Sequence, residues 1–311
     1  MRRQYNKGLC AVGASMPPVS GRDQGSTALL ILLMYVCHPI RIRNPVKYFS
    51  YLANMFSRLF GRRNKEDSKY DDLPAPATAN WGALGADMHS HFLPGIDDGA
   101  KNIDDSLLLL RTMADMGYKT IITTPHVMID YYPNTTQTIQ TALLAAQNVL
   151  KENNIDIQLR AAAEYYIDDY FTQLIEKEPL LTIHKNEVLV EFSMLYEPPM
   201  LGQALFSMQT NGYKPIIAHP ERYMFFHRDL SKYSELKDRG CLLQLNMLSI
   251  AGYYGQNIKN VAEQLLAKGL YDYCGSDAHH EKHLAVLRAM ACSKDYHRIT
   301  GYPFLNSRLC L

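Results

Sequence analysis

MADMGYKTIITTPH, residues 113–126, decides how this chain folds, because the chain says nearly the same thing twice more. MQTNGYKPIIAHPER (208–222) and LLAKGLYDYCGSDAH (265–279) repeat its three parts. A helical pattern stops at a glycine (Gly117, Gly212, Gly269), as a helix C-terminus prefers, a short apolar strand follows, and the strand ends on His126, His219 or His279. A fourth copy, LKDRGCLLQLNM (236–247), has Gly240 and the strand but ends at Asn246. Two further strands fit between the copies: DIQLRAAAEYY (156–166) delivers Glu164 and EVLVEFS (187–193) delivers Glu191. ADMHSHFLPGIDDG (86–99) supplies the first. Strands alternating with helical stretches are βα units, and βα units build a parallel sheet buried on both faces. About seven of them favour a closed (β/α) barrel over an open doubly wound sheet.

Barrel active sites collect at the C-terminal ends of the strands, where the polar residues of these phrases lie. His89, His91, His126, Glu164, Glu191, His219, Asp277 and His279 are expected to converge there, with Asp97 or Asp98 just beyond the first strand. A lone H-x-H is commonly a surface pair, but on an extended strand His89 and His91 point to one side and can grip one ion. Eight or nine ligands exceed what one ion takes, so two or three ions sharing a carboxylate are implied. Imidazole and carboxylate without thiolate point to Mn, Fe or Zn, with Mn or Fe favoured by the oxygen content. Clustered divalent ions acidify a bridging water and clamp the oxygens of an in-line displacement at phosphorus, which makes phosphoester hydrolysis the expected reaction.

Composition narrows the alternatives. Residues 1–65 carry eleven basic side chains against the single acid Asp23, whereas 66–311 carry 21 basic and 30 acidic ones. An acidic globule suits cations and argues against a nucleic-acid-coating surface. The six cysteines show no framework spacing, so a cytoplasmic setting without disulfides is expected. ALLILLMYVC (28–37) is about half the length of a membrane span and lacks a signal-peptide cleavage site. Residues 45–63 read as a basic amphipathic helix that would lie at the inner face of a membrane or dock on its own protein. Met55 opens a shorter start, so residues 1–54 are read as an over-extended gene start. The Pro/Ala linker DDLPAPATANWG then ends an N-terminal extension over 1–80, and the folded domain is expected over 81–311.

DMHSHFLPGIDDG, TPH, AEYY, EFS, AHPER and SDAH, in that order from Asp87 to His279, resemble the polymerase and histidinol phosphatase (PHP) family. More narrowly they resemble its bacterial manganese-dependent protein-tyrosine phosphatases of capsule and exopolysaccharide clusters. The resemblance implies a distorted (β/α)7 barrel with three Mn2+ ions, Fe or Zn being the other choices. His89, His91, Glu164 and Asp277 would hold the first ion, Glu164 would bridge to a second held by Glu191 and His219, and Asp98, His126 and His279 would hold the third. Arg222 would grip the phosphate, with Asp98 and His279 also counted among the catalytic groups. The implied reaction is attack of a metal-bridging hydroxide on phosphotyrosine, and the implied partner is the tyrosine-rich tail of a bacterial polysaccharide-assembly kinase. The alternatives are another PHP phosphoesterase acting on histidinol phosphate or a sugar phosphate, or a non-catalytic, metal-stabilised regulatory partner.

The family's Arg-Pro loop after S-D-x-H is missing here: HEKHLAVLRAM offers only Arg288, in a helical pattern. Two C-x5-R strings, at Cys37 and Cys292, lack the glycine of a phosphate cradle and are read as coincidence. Tyr131, Tyr132 and Tyr196 lie in loops that would cover a phosphotyrosine ring or simply decorate the barrel rim. Histidines 38, 184, 227, 280, 283 and 297 are set aside as surface or supporting residues.

Overall fold

The helix-to-strand corners at Gly117 and Gly212 have φ of 97° and 84°, the left-handed backbone that glycine takes without Cβ strain. Gly240 and Gly269 turn the other two repeats in the same way. These corners are seen in a computed structural model, which describes residues 80–310. The expectations for residues 1–79, including the 45–63 helix and the linker, lie outside the described residues.

Seven parallel staves follow from the repeats. The first is β1 (Ala86–Asp87) and its extension through Ser90. The second runs through β2 (Thr120–Thr123) and β3 (His126–Val127), and the third through β4 (Gln158–Ala161) and β5 (Glu164–Tyr166). Single strands make the rest: β6 (Glu187–Glu191), β7 (Lys214–Ala218), β8 (Leu242–Asn246) and β9 (Tyr273–Gly275). Strands β1, β2 and β4 pair as one sheet, and β3, β5, β6, β7, β8 and β9 as another, every pairing parallel. A parallel bridge between Ser90 and Ala278 closes the ring, with the His91 N–H donating to Ala278 O at 3.0 Å and the Asp277 N–H to His89 O at 2.8 Å. The result is a distorted (β/α)7 barrel. Its second stave breaks at Pro125, whose missing N–H cannot continue a ladder.

The helices cover the outside. Helix α1 (Ile103–Asp115) starts at Asn102, whose side chain accepts the Asp105 N–H, and it buries Leu109, Leu110 and Met113. Helix α2 (Thr136–Glu152) opens with a Thr135–Thr138 capping box. Helices α3 (Asp169–Lys177), α4 (Leu201–Thr210) and α5 (Ser231–Asp238) follow the middle staves. A short α6 (Met247–Ala251) follows β8, then α7 (Gln256–Ala267), α8 (Glu281–Met290) and α9 (Lys294–Thr300). Every residue of β6 and β8 is buried, as a sheet covered on both faces requires. Met88, Ile122, Leu189, Ile216 and Tyr273 fill the barrel interior. At the N-terminal end of the staves, Arg308 holds both carboxylate oxygens of Glu187, at 2.5 and 2.7 Å. That leaves the opposite end open. Among the described residues no helix is long and apolar enough to cross a membrane.

Candidate metal centre

Six of the seven staves deliver an imidazole or a carboxylate at the open end, and the structure brings all nine of the sequence-selected ligands to that one rim. His89 and His91 stand side by side, Nε2 to Nε2 at 3.3 Å. Glu164 Oε2 lies 3.1 and 3.5 Å from those nitrogens, and Asp277 Oδ1 lies 3.3 and 3.4 Å from them. His126 Nε2 reaches Glu164 at 3.4 Å and Glu191 at 3.3 Å. His219 Nε2 meets Glu164 Oε1 at 3.0 Å and Glu191 at 3.8 Å. Asp98 sits at the mouth, 3.3 Å from His126 Nδ1 and 3.5 Å from His279 Nε2.

Three groups of mutually close ligand atoms result: His89, His91, Glu164 and Asp277; His126, Glu164 and Glu191; and His91, Asp98, His126 and His279. Glu164 is common to the first two. His126 enters the second group, where the family resemblance put His219, and His91 also reaches the third.

These residues fit a divalent cation. Five edges of the first group measure 3.1–3.5 Å. All four ligand atoms lie within 4.8 Å of one another, close enough for one divalent ion with bonds of about 2 Å to be shared among them. Among the described residues Nδ1 of His126 makes no well-aligned hydrogen bond, although the Asp98 carboxylate lies 3.3 Å away.

Charge says the same. Burial works against a charged ring at His89, but Glu164 and Asp277 override it and raise its pKa. Burial likewise opposes protonation of His91 and His126, and Asp97 foremost pushes both well above the ordinary histidine value. Burial would neutralise Glu164 and Asp277, yet His89 first of all holds both well below the usual carboxylate range. A proton on a raised-pKa imidazole at neutral pH must leave before its nitrogen can ligate an ion. Cation binding is therefore expected to release more than one proton per protein at pH 7 and to weaken as the pH falls. Calorimetric titration in buffers of different ionisation enthalpy reads that number, and no proton release would contradict the ligand set.

Supporting groups fix the rings. The His89 Nδ1–H donates to Gln244 Oε1 at 3.0 Å and the His91 Nδ1–H to Asp97 Oδ2 at 2.8 Å, so both Nε2 atoms face the centre. The His279 Nδ1–H donates to Asp277 O at 2.9 Å. Asp97 and Asp98 thus part company. Asp97 is buried behind His91, accepting the Gly99 N–H at 3.0 Å, while Asp98 faces the rim. Close packing explains two glycines: a Cβ on Gly99 would meet His91 O at 1.9 Å, and one on Gly275 would meet His89 Cβ at 2.6 Å. His219 and Asp277 have φ of 33° and 48°, strained for residues with a Cβ.

Seven of the nine ligands, all but His89 and His91, line a cavity of about 290 Å³ that is also lined by Arg222, Tyr254, His280 and His283. Arg222 Nη1 donates to Asp277 Oδ2 at 2.8 Å and its guanidinium lies 4.4 Å above the Tyr254 ring. It is the only arginine or lysine among the described lining residues. Arg288 instead approaches Asp115, at 3.9 Å. His280 and His283, set aside in the sequence, belong to the cavity wall: His283 Nδ1 accepts the His279 N–H at 3.2 Å, and burial pushes its pKa down to about 3. The Tyr132 ring stands 5.4 Å from His126, while Tyr131 and Tyr196 are exposed and outside the lining. Cys292 is exposed beyond α8, and its Arg298 pairs with Glu263. Cys37 lies outside the described residues.

The comparisons point the same way. The family model for capsular polysaccharide synthesis, CpsB/CapC, matches residues 85–299. The tyrosine-protein phosphatase YwqE of Bacillus subtilis is 31% identical over 197 residues, covering 63% of this chain and 78% of YwqE. CpsB of Streptococcus pneumoniae, also a tyrosine-protein phosphatase, is 28% identical over 199 residues, 62% of this chain and 82% of CpsB. A structure from the set described as YwqE and CpsB, unique metal-dependent tyrosine phosphatases, superposes with a TM-score of 0.62 at 28% identity, covering 73% of this chain and 95% of that one.

Proposed function

This chain belongs to the capsular polysaccharide synthesis family CpsB/CapC, and on that premise we propose that it is a metal-dependent protein-tyrosine phosphatase. One observation carries the reading: the group of His89, His91 and Glu164 and the Arg222 guanidinium share Asp277, one on each carboxylate oxygen, and Asp277 lies in the wall of a single cavity. His89, His91, Glu164 and Asp277 hold one ion, Glu164, Glu191 and His219 a second with His126 in reach, and Asp98, His126 and His279 a third. Mn2+ is the proposed ion, with Fe and Zn as competitors, since five imidazoles and four carboxylates offer no thiolate. Bound ions supply an acidified water and neutralise phosphate charge.

The chain's own residues do the rest. Arg222 binds the phosphate through a fork that matches its oxygens. His279, pushed down to about 4 by burial and by His91, stays neutral at the mouth, and with its Nδ1–H on Asp277 O its bare Nε2 faces Asp98, so that these two would hold the third ion beside the phosphate. A tyrosine leaving group has pKa ~10 and departs without a strong acid. No Cys or Ser lines the cavity among the described residues, which suits direct attack by water. The proposed substrate is the tyrosine-rich tail of a bacterial polysaccharide-assembly kinase, in keeping with the family's role in capsule synthesis.

Hydrolysis of a phosphotyrosine peptide is expected to disappear after dialysis against a chelator and to return with Mn2+. Histidinol phosphate, run in parallel, is expected to be a poor substrate. Full activity after chelation, or preference for histidinol phosphate, would overturn the proposal.

A further inference from the structure

Strand β8 is the one stave whose end carries neither imidazole nor carboxylate, yet its last residue reaches the centre. We propose that Asn246 is a positioning residue: with Arg222 and Tyr254 it ties down one oxygen of Asp277, so that only the other is presented to the cation. The inference rests on the metal-centre reading above.

Gln244 and Asn246 are two residues apart on one strand and project to the same side. Gln244 takes His89, and Asn246 takes Asp277. The Asn246 side chain is fully buried, and its Nδ2 donates to Asp277 Oδ2 at 2.7 Å and to the Tyr254 hydroxyl at 3.3 Å. Its Oδ1 accepts the Leu248 N–H at 2.8 Å, which fixes which end of the amide faces Asp277. Arg222 adds the second donor to Asp277 Oδ2 and stacks on Tyr254, closing a ring of four side chains. Asp277 Oδ1 is left to His89 and His91. Partners of this kind behind a ligand are typically worth about 10–100-fold in metal affinity.

The competing explanation is that Asn246 merely caps α6 through Oδ1. Serine separates the two roles, since it caps a helix as well as asparagine does but is too short to reach Asp277. Mn2+ binding by equilibrium dialysis with elemental analysis, alongside thermal melting, is measured for wild type, Asn246→Ser and Asn246→Ala. The expected result is that Asn246→Ser melts close to wild type while one of its ions binds about 10–100-fold more weakly, as in Asn246→Ala. Wild-type affinity in Asn246→Ser overturns the positioning role, and that variant alone decides the matter if Asn246→Ala does not fold. A wild-type protein that binds no Mn2+ overturns instead the metal-centre reading on which the inference stands.

Discussion

Replacing Glu164 by glutamine is expected to lower kcat/KM for a phosphotyrosine peptide by about three orders of magnitude, or ~4 kcal/mol of transition-state stabilisation. The carboxylate is buried and touches four imidazoles: His219 through Oε1 at 3.0 Å, and His89, His126 and His91 through Oε2 at 3.1, 3.4 and 3.5 Å. Burial alone would protonate it, but His89 and the hydrogen bonds around it keep it ionised. Glutamine keeps the shape while losing the charge, and it turns an N–H donor toward nitrogens that must ligate. Because Glu164 belongs to two ligand groups, both should lose affinity, whereas Glu191→Gln disturbs only one of them. Elemental analysis of the purified variants, together with their kinetics, checks this. Full metal content and activity in Glu164→Gln would remove it from the centre.

The barrel and its rim were legible because both follow from short-range rules. Gly117, Gly212, Gly240 and Gly269 announce the helix ends of the four repeats, and the polar residues at the ends of parallel barrel strands gather at the barrel mouth. What escaped depends on three-dimensional detail. Nothing in the run Ala161–Ala163 signals the break between β4 and β5, since two alanines suit strand and loop alike. Asp97 and Asp98 are chemically identical neighbours that spacing alone leaves open, and the loop geometry, with the Gly99 N–H on Asp97, turns Asp98 to the rim, where the family resemblance put it. Gln244 and Asn246 carry no charge and do not titrate, so the pattern of imidazoles and carboxylates that marks the other strand ends does not extend to them. Their position and two-residue spacing on β8 were the available signal. His280 and His283 looked peripheral because they flank the start of α8, but that first turn faces the cavity.

Arg222→Ala is expected to cut kcat/KM by about 10²–10³-fold, the usual cost of removing one preorganised donor to developing phosphate charge. Arg222→Lys should recover only part of it, because a point charge cannot fork across two oxygens or stack on Tyr254 as the planar guanidinium does. Two mechanisms contribute, and they separate by measurement. Loss of the phosphate contact raises KM and weakens competitive inhibition by inorganic phosphate. Loss of the bond to Asp277 Oδ2 instead loosens one ion, an effect that saturating Mn2+ repairs. The defect that persists at saturating Mn2+ therefore measures the contact with phosphate. It should remain large, because no other arginine or lysine among the described residues lines the cavity to take over. Wild-type inhibition by phosphate and wild-type kcat/KM in the alanine variant at saturating Mn2+ would mean that Arg222 serves Asp277 alone and that the substrate is held by the ions.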